Sequence, residues 1–160
     1  MARRQRIDRI RVRVPVERAL DLAADPTRFP EFNPLVEVPA ESGRVEILGN
    51  VYYQIFRFGP ARLSTRWETT SVDPVDLADR PRPAPPWTTV ERGELPLFGR
   101  CISTTRYEPT PTGSLLTHHL DYGVPDGPLG GAIDGVLMRP LLSVGFGVLL
   151  RRLRRWVESA

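Results

Sequence analysis

Residues 127–158 read GPLGGAIDGVLMRPLLSVGFGVLLRRLRRWVE, a stretch that is apolar through its middle and ends in two arginine pairs around Leu153. A helix that spans a membrane needs about 20 mostly apolar residues. Asp134 and Arg139 interrupt this run, and the uncharged remainder, residues 140–150, has about 11 residues, the length of a buried or interfacial helix. The stretch is therefore interpreted as the long C-terminal helix of a folded domain and not as a membrane anchor.

Glycines within this predicted helix need an explanation. Each glycine costs about 0.5 to 1 kcal/mol relative to alanine inside a helix. Two explanations stay open for Gly131, Gly135, Gly145 and Gly147: room for a ligand beside the helix, or close packing of the helix on a sheet. Pro140 lacks one helical hydrogen bond and is expected to kink or divide the helix.

Length and composition predict a single domain over residues 1–160, because 160 residues with 41% hydrophobic content can bury a core. The N-terminal MARRQRIDRIRVRV has arginines but no apolar signal-peptide segment, which predicts a cytoplasmic location. Cys101 is the only cysteine, so an intrachain disulfide and a cysteine-based zinc site are excluded. A buried packing role for Cys101 is favoured over a role as nucleophile.

All 22 basic residues are arginine, and they concentrate at the two ends of the chain. Residues 1–18 hold seven arginines against two acidic residues, residues 139–160 hold five against one, and the middle is net acidic. Such asymmetry can mark a nucleic-acid or anionic membrane surface. No aromatic residues are interleaved with the basic positions as in a single-strand binder, so nucleic-acid binding is not expected.

The N-terminal third predicts a strand followed by helices. Residues 9–14 alternate with period two, which places Ile10, Val12 and Val14 toward a core and the arginines toward water. Pro15 suits the first turn of a helix whose apolar residues recur at helical spacing through Asp25. Residues 29–34 are compatible with one helical turn or a tight loop.

Residues 35–124 predict about six antiparallel strands. A hairpin centred on residues 59 and 60 would place three pairs opposite each other on one apolar face: Tyr52 and Trp67, Phe56 and Leu63, Phe58 and Ala61. Arg57, Arg62 and Arg66 would lie on the other, wet face. The prolines of residues 78–86 predict an exposed loop. Strands resume at residues 87–93, 98–107 and 115–124.

The last of these strands carries both histidines. Leu116, His118, Leu120 and Tyr122 lie on one face, and His119 lies on the other, so the histidines cannot share a metal ion. No HExxH motif or comparable spacing is present, and neither a metal nor a cofactor is predicted. The polar groups expected to point inward are His118, Tyr122, Tyr52 and Cys101, whereas the pattern places no carboxylate clearly inward.

The order of strand, helix, helical turn, strand run and long helix indicates an α+β domain. The opening IRVRVPVERALDLAADPTRFPEFNPLVEV resembles the start of the START-like (SRPBCC) helix-grip superfamily. The closing GSLLTHHLDYGVPDGPLGGAIDGVLMRPLLSVGFGVLLRRLRRWVE resembles the last strand and helix of that superfamily, particularly of its polyketide cyclase/dehydrase branch. The resemblance covers nearly the whole chain, although the centre matches only in pattern and the proline-rich loop departs from it.

This resemblance implies a curved antiparallel β-sheet wrapped around the long C-terminal α-helix, with a hydrophobic cavity between them. Proteins of this kind bind lipids, sterols, quinones, polyketides or plant hormones, and some catalyse cyclisation or dehydration. The expected function is binding of a hydrophobic or amphipathic small molecule in the cavity. The residues expected to contact it are Tyr52, Phe56, Trp67, Leu116, His118, Leu120, Tyr122, Met138 and Leu141.

Two alternative functions stay open. One is a polyketide cyclase or dehydratase that uses proton transfer from His118 or Tyr122. The other is a peripheral lipid-transfer module in which Arg151, Arg152, Arg154 and Arg155 contact an anionic membrane.

Overall fold

The computed structural model describes residues 1–39, 42, 45, 47–58, 60–74, 84–95 and 99–160, without the side chains of Phe58, Ala61, Leu95, Leu137 and Leu141. The strands are β1 (Ala2–Val12), β2 (Val36–Glu37), β3 (Val51–Phe58), β4 (Ala61–Asp73), β5 (Trp87–Leu95), β6 (Gly99–Thr110) and β7 (Gly113–Val124). The helices are α1 (Val16–Ala23), α2 (Phe29–Phe32), α3 (Gly127–Ile133) and α4 (Arg139–Ser159). A π-helical turn (Asp134–Met138) joins α3 to α4.

The seven strands form one antiparallel sheet in the order β1-β7-β6-β5-β4-β3-β2. The predicted hairpin register is confirmed, since Tyr52 lies opposite Trp67 and Phe56 lies opposite Leu63. Arg57, Arg62 and Arg66 are exposed, as predicted, whereas the side chains of Phe58 and Ala61 lie outside the described residues. A bulge between Thr69 and Ser71 interrupts the β4–β5 ladder. Such bulges bend a strand, so the sheet curls at this position.

The strands predicted at residues 87–93, 98–107 and 115–124 correspond to β5, β6 and β7. Phe98 lies outside the described residues, and so does most of the predicted proline-rich loop. The predicted N-terminal helix and the helical turn after it correspond to α1 and α2.

The first strand is longer than predicted, because it begins at Ala2 and not at Arg9. Ile10 and Val12 turn inward while Arg9 and Arg11 are exposed, which confirms the predicted alternation. Continuing the same period brings Arg4, Arg6 and Asp8 onto the inward face. These charges are tolerated there because Arg4 pairs with Asp134 and Arg6 pairs with Asp8.

The C-terminal segment is one nearly continuous helix, as predicted for residues 128–158. Ile133, Asp134, Met138 and Arg139 all have right-handed helical backbone angles, so α3, the π-helical turn and α4 follow one another without a break. The irregularity expected from Pro140 is located one turn upstream: the backbone N–H of Arg139 donates to the carbonyl of Asp134, five residues back. Among the described helices, none combines the length and apolar character needed to span a membrane.

The helix packs on the concave face of the sheet. Phe146 stacks on the His118 ring of β7 at a centroid distance of 5.1 Å, and Leu153 and Val157 are buried in the core. Near its C-terminal end, Trp156 packs against Phe32 of α2 at 5.1 Å. The α2 segment therefore fixes one end of the helix against the domain.

Close packing on the sheet does not explain the four helical glycines, and space for a ligand does not explain three of them. A Cβ atom built on Gly131, Gly135, Gly145 or Gly147 meets no atom within 4 Å, so close packing on the sheet is wrong for all four. Gly131, Gly135 and Gly145 are exposed, and they therefore do not line an internal space either. The closely packed glycine is Gly130, where a Cβ atom would lie 1.6 Å from the carbonyl oxygen of Pro125.

Candidate functional site

The concave face has a polar centre within an apolar surround. Thr65, Thr69, Thr89, Glu91 and Ser103 are buried there. The expectation that no carboxylate points inward is wrong, because Glu91 is 7% exposed, Asp134 is 2% exposed and the Asp8 side chain is 13% exposed. The region between sheet and helix is thus amphipathic, with three ionisable carboxyl groups.

The alternation of β5 explains how Glu91 comes to be inside. Trp87, Thr89, Glu91 and Gly93 occupy alternate positions, and Trp87 is 2% exposed. Burial of this tryptophan fixes the face of the strand and brings the carboxylate in with it. Gly93 leaves space for a neighbouring ring, since a Cβ atom there would lie 2.8 Å from Trp67.

Within the described part of the chain, the groups that contact Glu91 are hydroxyls. The Tyr52 hydroxyl donates a hydrogen bond to Oε1 of Glu91. Burial raises the pKa of Glu91 to about 7, although hydrogen bonds with Tyr52 and Ser103 act to lower it. Burial, together with the charge of Glu91, raises the pKa of Tyr52 well above its usual value. Tyr52 therefore remains a donor while Glu91 titrates near neutral pH.

His118 lies on the same face of the sheet, on β7, with β6 between it and Glu91. Its Nε2 atom is 3.0 Å from the hydroxyl oxygen of Ser103. Its Nδ1 atom is buried and has no hydrogen-bond partner within the part of the chain that the structure describes. Burial lowers the pKa of His118 to about 4, against the attraction of the nearby Asp8 carboxylate. The imidazole is therefore neutral at physiological pH.

Asp134 connects the helix to the sheet. Its Oδ1 atom accepts a hydrogen bond of 2.9 Å from the Tyr122 hydroxyl, and Oδ2 lies 3.1 Å from Nε of Arg4 and 2.9 Å from Nε of Arg139. Burial raises the pKa of Asp134, but the hydrogen bond from Tyr122 and the two arginines outweigh it and the net shift is downward. Asp134 and Arg139, the charged residues that interrupt the apolar stretch, thus help to hold the helix against the sheet.

Tyr122 is part of this contact, and its chemistry follows from that position. Burial, then its hydrogen bond to Asp134, raises the pKa of Tyr122 to about 12. A phenol with such a pKa and an engaged proton is a poor general acid near pH 7. Of the two candidate proton-transfer residues, Tyr122 is therefore already committed to the contact between helix and sheet.

The remaining residues predicted to contact a ligand are largely brought together. One buried core cluster contains Tyr52, Trp67, Leu116, Leu120, Tyr122 and Met138. Phe56 and His118 are half-buried, and the Leu141 side chain lies outside the described residues. Their contact with a ligand stays a prediction. Sequence analysis missed Glu91, Ser103 and Asp8.

Cys101 is fully buried, and burial raises its pKa to about 12. This environment fits the packing role that the sequence favoured, because a reactive cysteine needs an accessible thiolate. No group of three His, Cys, Asp or Glu side chains within the described residues is arranged to hold a metal ion.

An open depression of about 420 Å³ lies away from this polar centre. It is lined by Arg13, Val14, Pro15, Val16, Glu17, Pro85, Pro109, Thr110, Thr112 and Gly113. None of the residues predicted to contact a ligand is among them. Its wall is formed by the start of α1 and the β6–β7 turn.

Comparison with known proteins gives similarity in structure but not in sequence. No protein-family model and no curated protein matches the chain. The structure of Ara h 8.0201 aligns with a TM-score of 0.70 at 12% identity, over 99% of this chain and 100% of that one. The Zhui aromatase/cyclase from Streptomyces sp. R1128 aligns with a TM-score of 0.70 at 15% identity, over 98% and 94%.

A third structure, the di-domain aromatase/cyclase StfQ of the steffimycin biosynthetic pathway, aligns with a TM-score of 0.67 at 15% identity. The alignment covers 98% of this chain and 52% of StfQ. At such identities the likeness establishes the fold and leaves the activity open. A seven-stranded curled antiparallel sheet closed by a C-terminal helix gives this chain the helix-grip fold of these structures.

Proposed function

We propose that the protein binds a hydrophobic or amphipathic small molecule between the concave sheet face and the C-terminal helix. The observation that carries this proposal is the buried Nδ1 atom of His118, which has no hydrogen-bond partner among the described residues. A buried polar atom left unpaired costs about 1 to 3 kcal/mol. The hydroxyl group of Thr89, on the same face, is also unpartnered within the described part of the chain. A ligand with an apolar body and one or two polar groups would satisfy both.

Phe146 stands between the helix and this polar atom, because its ring stacks on His118. The Arg6 guanidinium lies 5.6 Å from the centre of the same ring. A ligand that reaches Nδ1 therefore displaces the Phe146 ring or slides beside it. Replacement of Phe146 by alanine should speed ligand association, and stopped-flow fluorescence can measure this rate.

The direct test is a ligand screen on protein stripped of co-purified lipid. Fatty acids, sterols, quinones and aromatic polyketides are screened by thermal shift. A ligand at 100 times its Kd adds about 2.7 kcal/mol to the free energy of unfolding. His118→Asn should weaken binding of an amphipathic hit about fivefold through loss of one hydrogen bond. His119→Asn, on the opposite face, is the matched control. The proposal fails if no compound raises the melting temperature.

A second candidate function is catalysis by proton transfer, as in a cyclase or dehydratase. The observation that favours it is the inward Glu91, with a pKa of about 7 and a connection through Ser103 to His118. Each hit of the screen is followed by mass spectrometry for a product. Turnover that His118→Ala abolishes while binding persists would replace simple binding by catalysis.

A third candidate is a lipid-transfer module that docks on anionic membranes. The outward face of the C-terminal helix carries Val136, 81% exposed, and Val144, 69% exposed. The same face ends in exposed arginines without an ion-pair partner among the described residues: Arg151, Arg152 and Arg155. An apolar stripe beside free cations suits an interface with acidic headgroups.

Vesicle cosedimentation tests this third candidate. Binding is expected to phosphatidylserine-containing vesicles, to fall with added salt, and to be absent with phosphatidylcholine alone. Val144→Asp should abolish binding. Leu35→Asp, at a site 48% exposed elsewhere on the domain, is the control. Equal binding by the two variants contradicts membrane docking through this face.

A further inference from the structure

Four polar side chains from four strands lie in sequence on the concave face. Tyr52 of β3 donates to Glu91 of β5. Ser103 of β6 lies directly opposite Glu91 in the β5–β6 register, close enough for its hydroxyl to lower the pKa of Glu91. Ser103 in turn contacts Nε2 of His118 in β7 at 3.0 Å. The chain ends at Nδ1 of His118, which has no partner within the described residues.

Counting donors and acceptors gives this chain two complete arrangements. With Glu91 ionised, its oxygens accept from Tyr52 and Ser103, so the Ser103 oxygen accepts from Nε2–H and Nδ1 of His118 is a bare acceptor. With Glu91 protonated, its proton goes to Ser103, the Ser103 hydroxyl donates to Nε2, and the ring proton lies on Nδ1. The imidazole stays neutral in both arrangements and only its tautomer changes.

We propose that this chain is a proton relay, in which a proton accepted at Nδ1 of His118 is stored on Glu91. The Nε2 proton passes to Ser103 and the Ser103 proton passes to Glu91. One proton enters the chain and none leaves it. The part of the inference that concerns ligands rests on the proposed binding function, whereas the relay itself is a property of the ligand-free protein.

The charges around the chain leave Glu91 free to titrate. The groups facing His118 are Asp8 and Arg6 of β1, which pair with each other through two contacts of 2.6 Å. His119, the neighbour on β7, acts against a charge on His118, and the uncharged Phe146 of α4 stacks on the His118 ring. Glu91 faces the Tyr52 hydroxyl and the Cys101 thiol, and no arginine of the described residues forms an ion pair with it.

The proton affinities fit this relay. Burial raises the pKa of Glu91 to about 7 and lowers the pKa of His118 to about 4. His118 alone would be a weak base near neutral pH. Through Ser103 it can hand its proton to a group whose pKa lies close to 7, which is the range that general acid–base catalysis favours.

The relay also sets which polar group of a ligand is preferred. Above the pKa of Glu91, the bare Nδ1 atom accepts a hydrogen bond from a phenol or enol hydroxyl. Below it, Nδ1–H donates to a carbonyl oxygen. The site would thus distinguish the hydroxylated and keto forms of an aromatic or polycyclic ligand, and pH would invert the preference.

Ring nitrogen NMR of ¹⁵N-histidine-labelled, ligand-free protein tests the relay, because the two neutral tautomers have distinct nitrogen shifts. His118 is expected to change from the Nδ1–H to the Nε2–H tautomer as pH rises through about 7. In Glu91→Gln, the amide N–H of the glutamine can donate to Ser103 at every pH, so His118 should remain in the Nδ1–H tautomer. Ser103→Ala should remove the pH dependence. Glu94→Gln, on the outward side of the same strand, is the matched control and should behave as wild type.

Tyr52→Phe provides a second variant that leaves the relay in place. Loss of one hydrogen bond to the ionised carboxylate should move the midpoint upward by about one pH unit. A His118 tautomer that stays constant in the wild type from about pH 5.5 to 8.5 overturns the relay. The relay is also overturned if the His118 tautomer changes at the same pH in Glu91→Gln and in Ser103→Ala as in the wild type.

Two bicyclic probes test the ligand preference. Naphthol, a hydroxyl donor, should bind about fivefold more tightly at about pH 8 than at about pH 6, and tetralone, a carbonyl acceptor, should show the opposite change. Ser103→Ala should remove both trends. Binding of both probes without any pH trend overturns the relay as a selector of ligands. If neither probe nor any compound of the screen binds, the proposed function fails while the NMR result still decides the relay.

Discussion

Replacement of Glu91 by glutamine should change how stability depends on pH. In the folded protein, burial raises the pKa of Glu91 from 4.5 to about 7. The folded state therefore holds the proton more tightly than the unfolded chain does. Between about pH 4.5 and about pH 7 the unfolded chain binds fewer protons, so the free energy of unfolding falls as pH rises.

The magnitude follows from the size of the shift. The shift of about 2.5 pKa units corresponds to about 3 kcal/mol, at about 1.4 kcal/mol per unit. Because Glu91 is almost completely buried, solvent screening reduces this figure little. Glutamine keeps the shape and can keep the hydrogen bonds, but it does not ionise, so it should remove this loss of stability.

Urea denaturation at about pH 4.5 and about pH 8 measures the effect. The free energy of unfolding of Glu91→Gln minus that of the wild type should grow by about 3 kcal/mol between these two values. Taking the difference between two pH values cancels any pH-independent effect of the substitution. Glu94→Gln is the control, since the Glu94 side chain is 71% exposed. A difference that stays constant with pH would refute the raised pKa of Glu91.

His118 acts in the opposite direction. Its folded pKa of about 4 lies below its ordinary value of 6.5, so stability is lost as pH falls from about 6.5 to about 4. In the wild type this slope opposes that of Glu91 over most of the same range. In Glu91→Gln the His118 slope should no longer be opposed, and it should contribute a gain of about 3 kcal/mol from about pH 4 to about pH 6.5.

Three further predictions concern packing and metal content. Trp67 is 8% exposed, so Trp67→Ala should lower the free energy of unfolding by about 3 to 5 kcal/mol, and a loss below about 1 kcal/mol with unchanged ligand binding would contradict its inward placement. Gly145→Ala should stabilise the protein by about 0.5 to 1 kcal/mol because the site is exposed and open, whereas Gly93→Ala should destabilise it by pressing on Trp67, both measured by urea denaturation. Metal analysis should find no stoichiometric zinc or iron, and metal that survives chelation would contradict this.

Most of the fold could be predicted from the sequence because the spacing of apolar residues distinguishes its strands from its helices. The period-two pattern of residues 52–67 contains enough aromatic residues on one side to fix both face and register, and the structure confirms them. The uncharged run after Arg139 is too short for a membrane span and has the length of a buried or interfacial helix. Its length and helical period predicted the helix, and its resemblance to a known family predicted how the sheet encloses it.

The polar centre could not be predicted in the same way, because the prediction assumed that apolar residues point inward and charged residues point outward. In β5, Val90 and Glu91 occupy opposite faces, and hydrophobicity favours Val90 inside. Trp87 decides which face of β5 is buried, because it lies on the same face as Glu91 and buries a much larger surface than Val90. The tryptophan at that spacing was the available signal. The first half of β1 could not be predicted for the same reason. Arg4 and Arg6 occupy its inward positions, whereas charged residues are ordinarily exposed to water.

Two buried carboxyl groups of this domain differ in a way that separates structure from function. Asp134 is paired with Arg4 and Arg139, so its charge is neutralised and it holds the helix to the sheet. Among the described residues, Glu91 interacts with the hydroxyl groups of Tyr52 and Ser103 and with no cation, so burial costs it about 3 kcal/mol when it ionises. A group serving stability alone would be better replaced by an apolar side chain of similar volume. Binding a ligand requires only Nδ1 of His118, whereas a connection from that atom to a carboxyl group with a pKa near 7 is what proton transfer requires. The dependence of His118 on Glu91 is therefore the measurement that distinguishes a passive container from a site that handles protons.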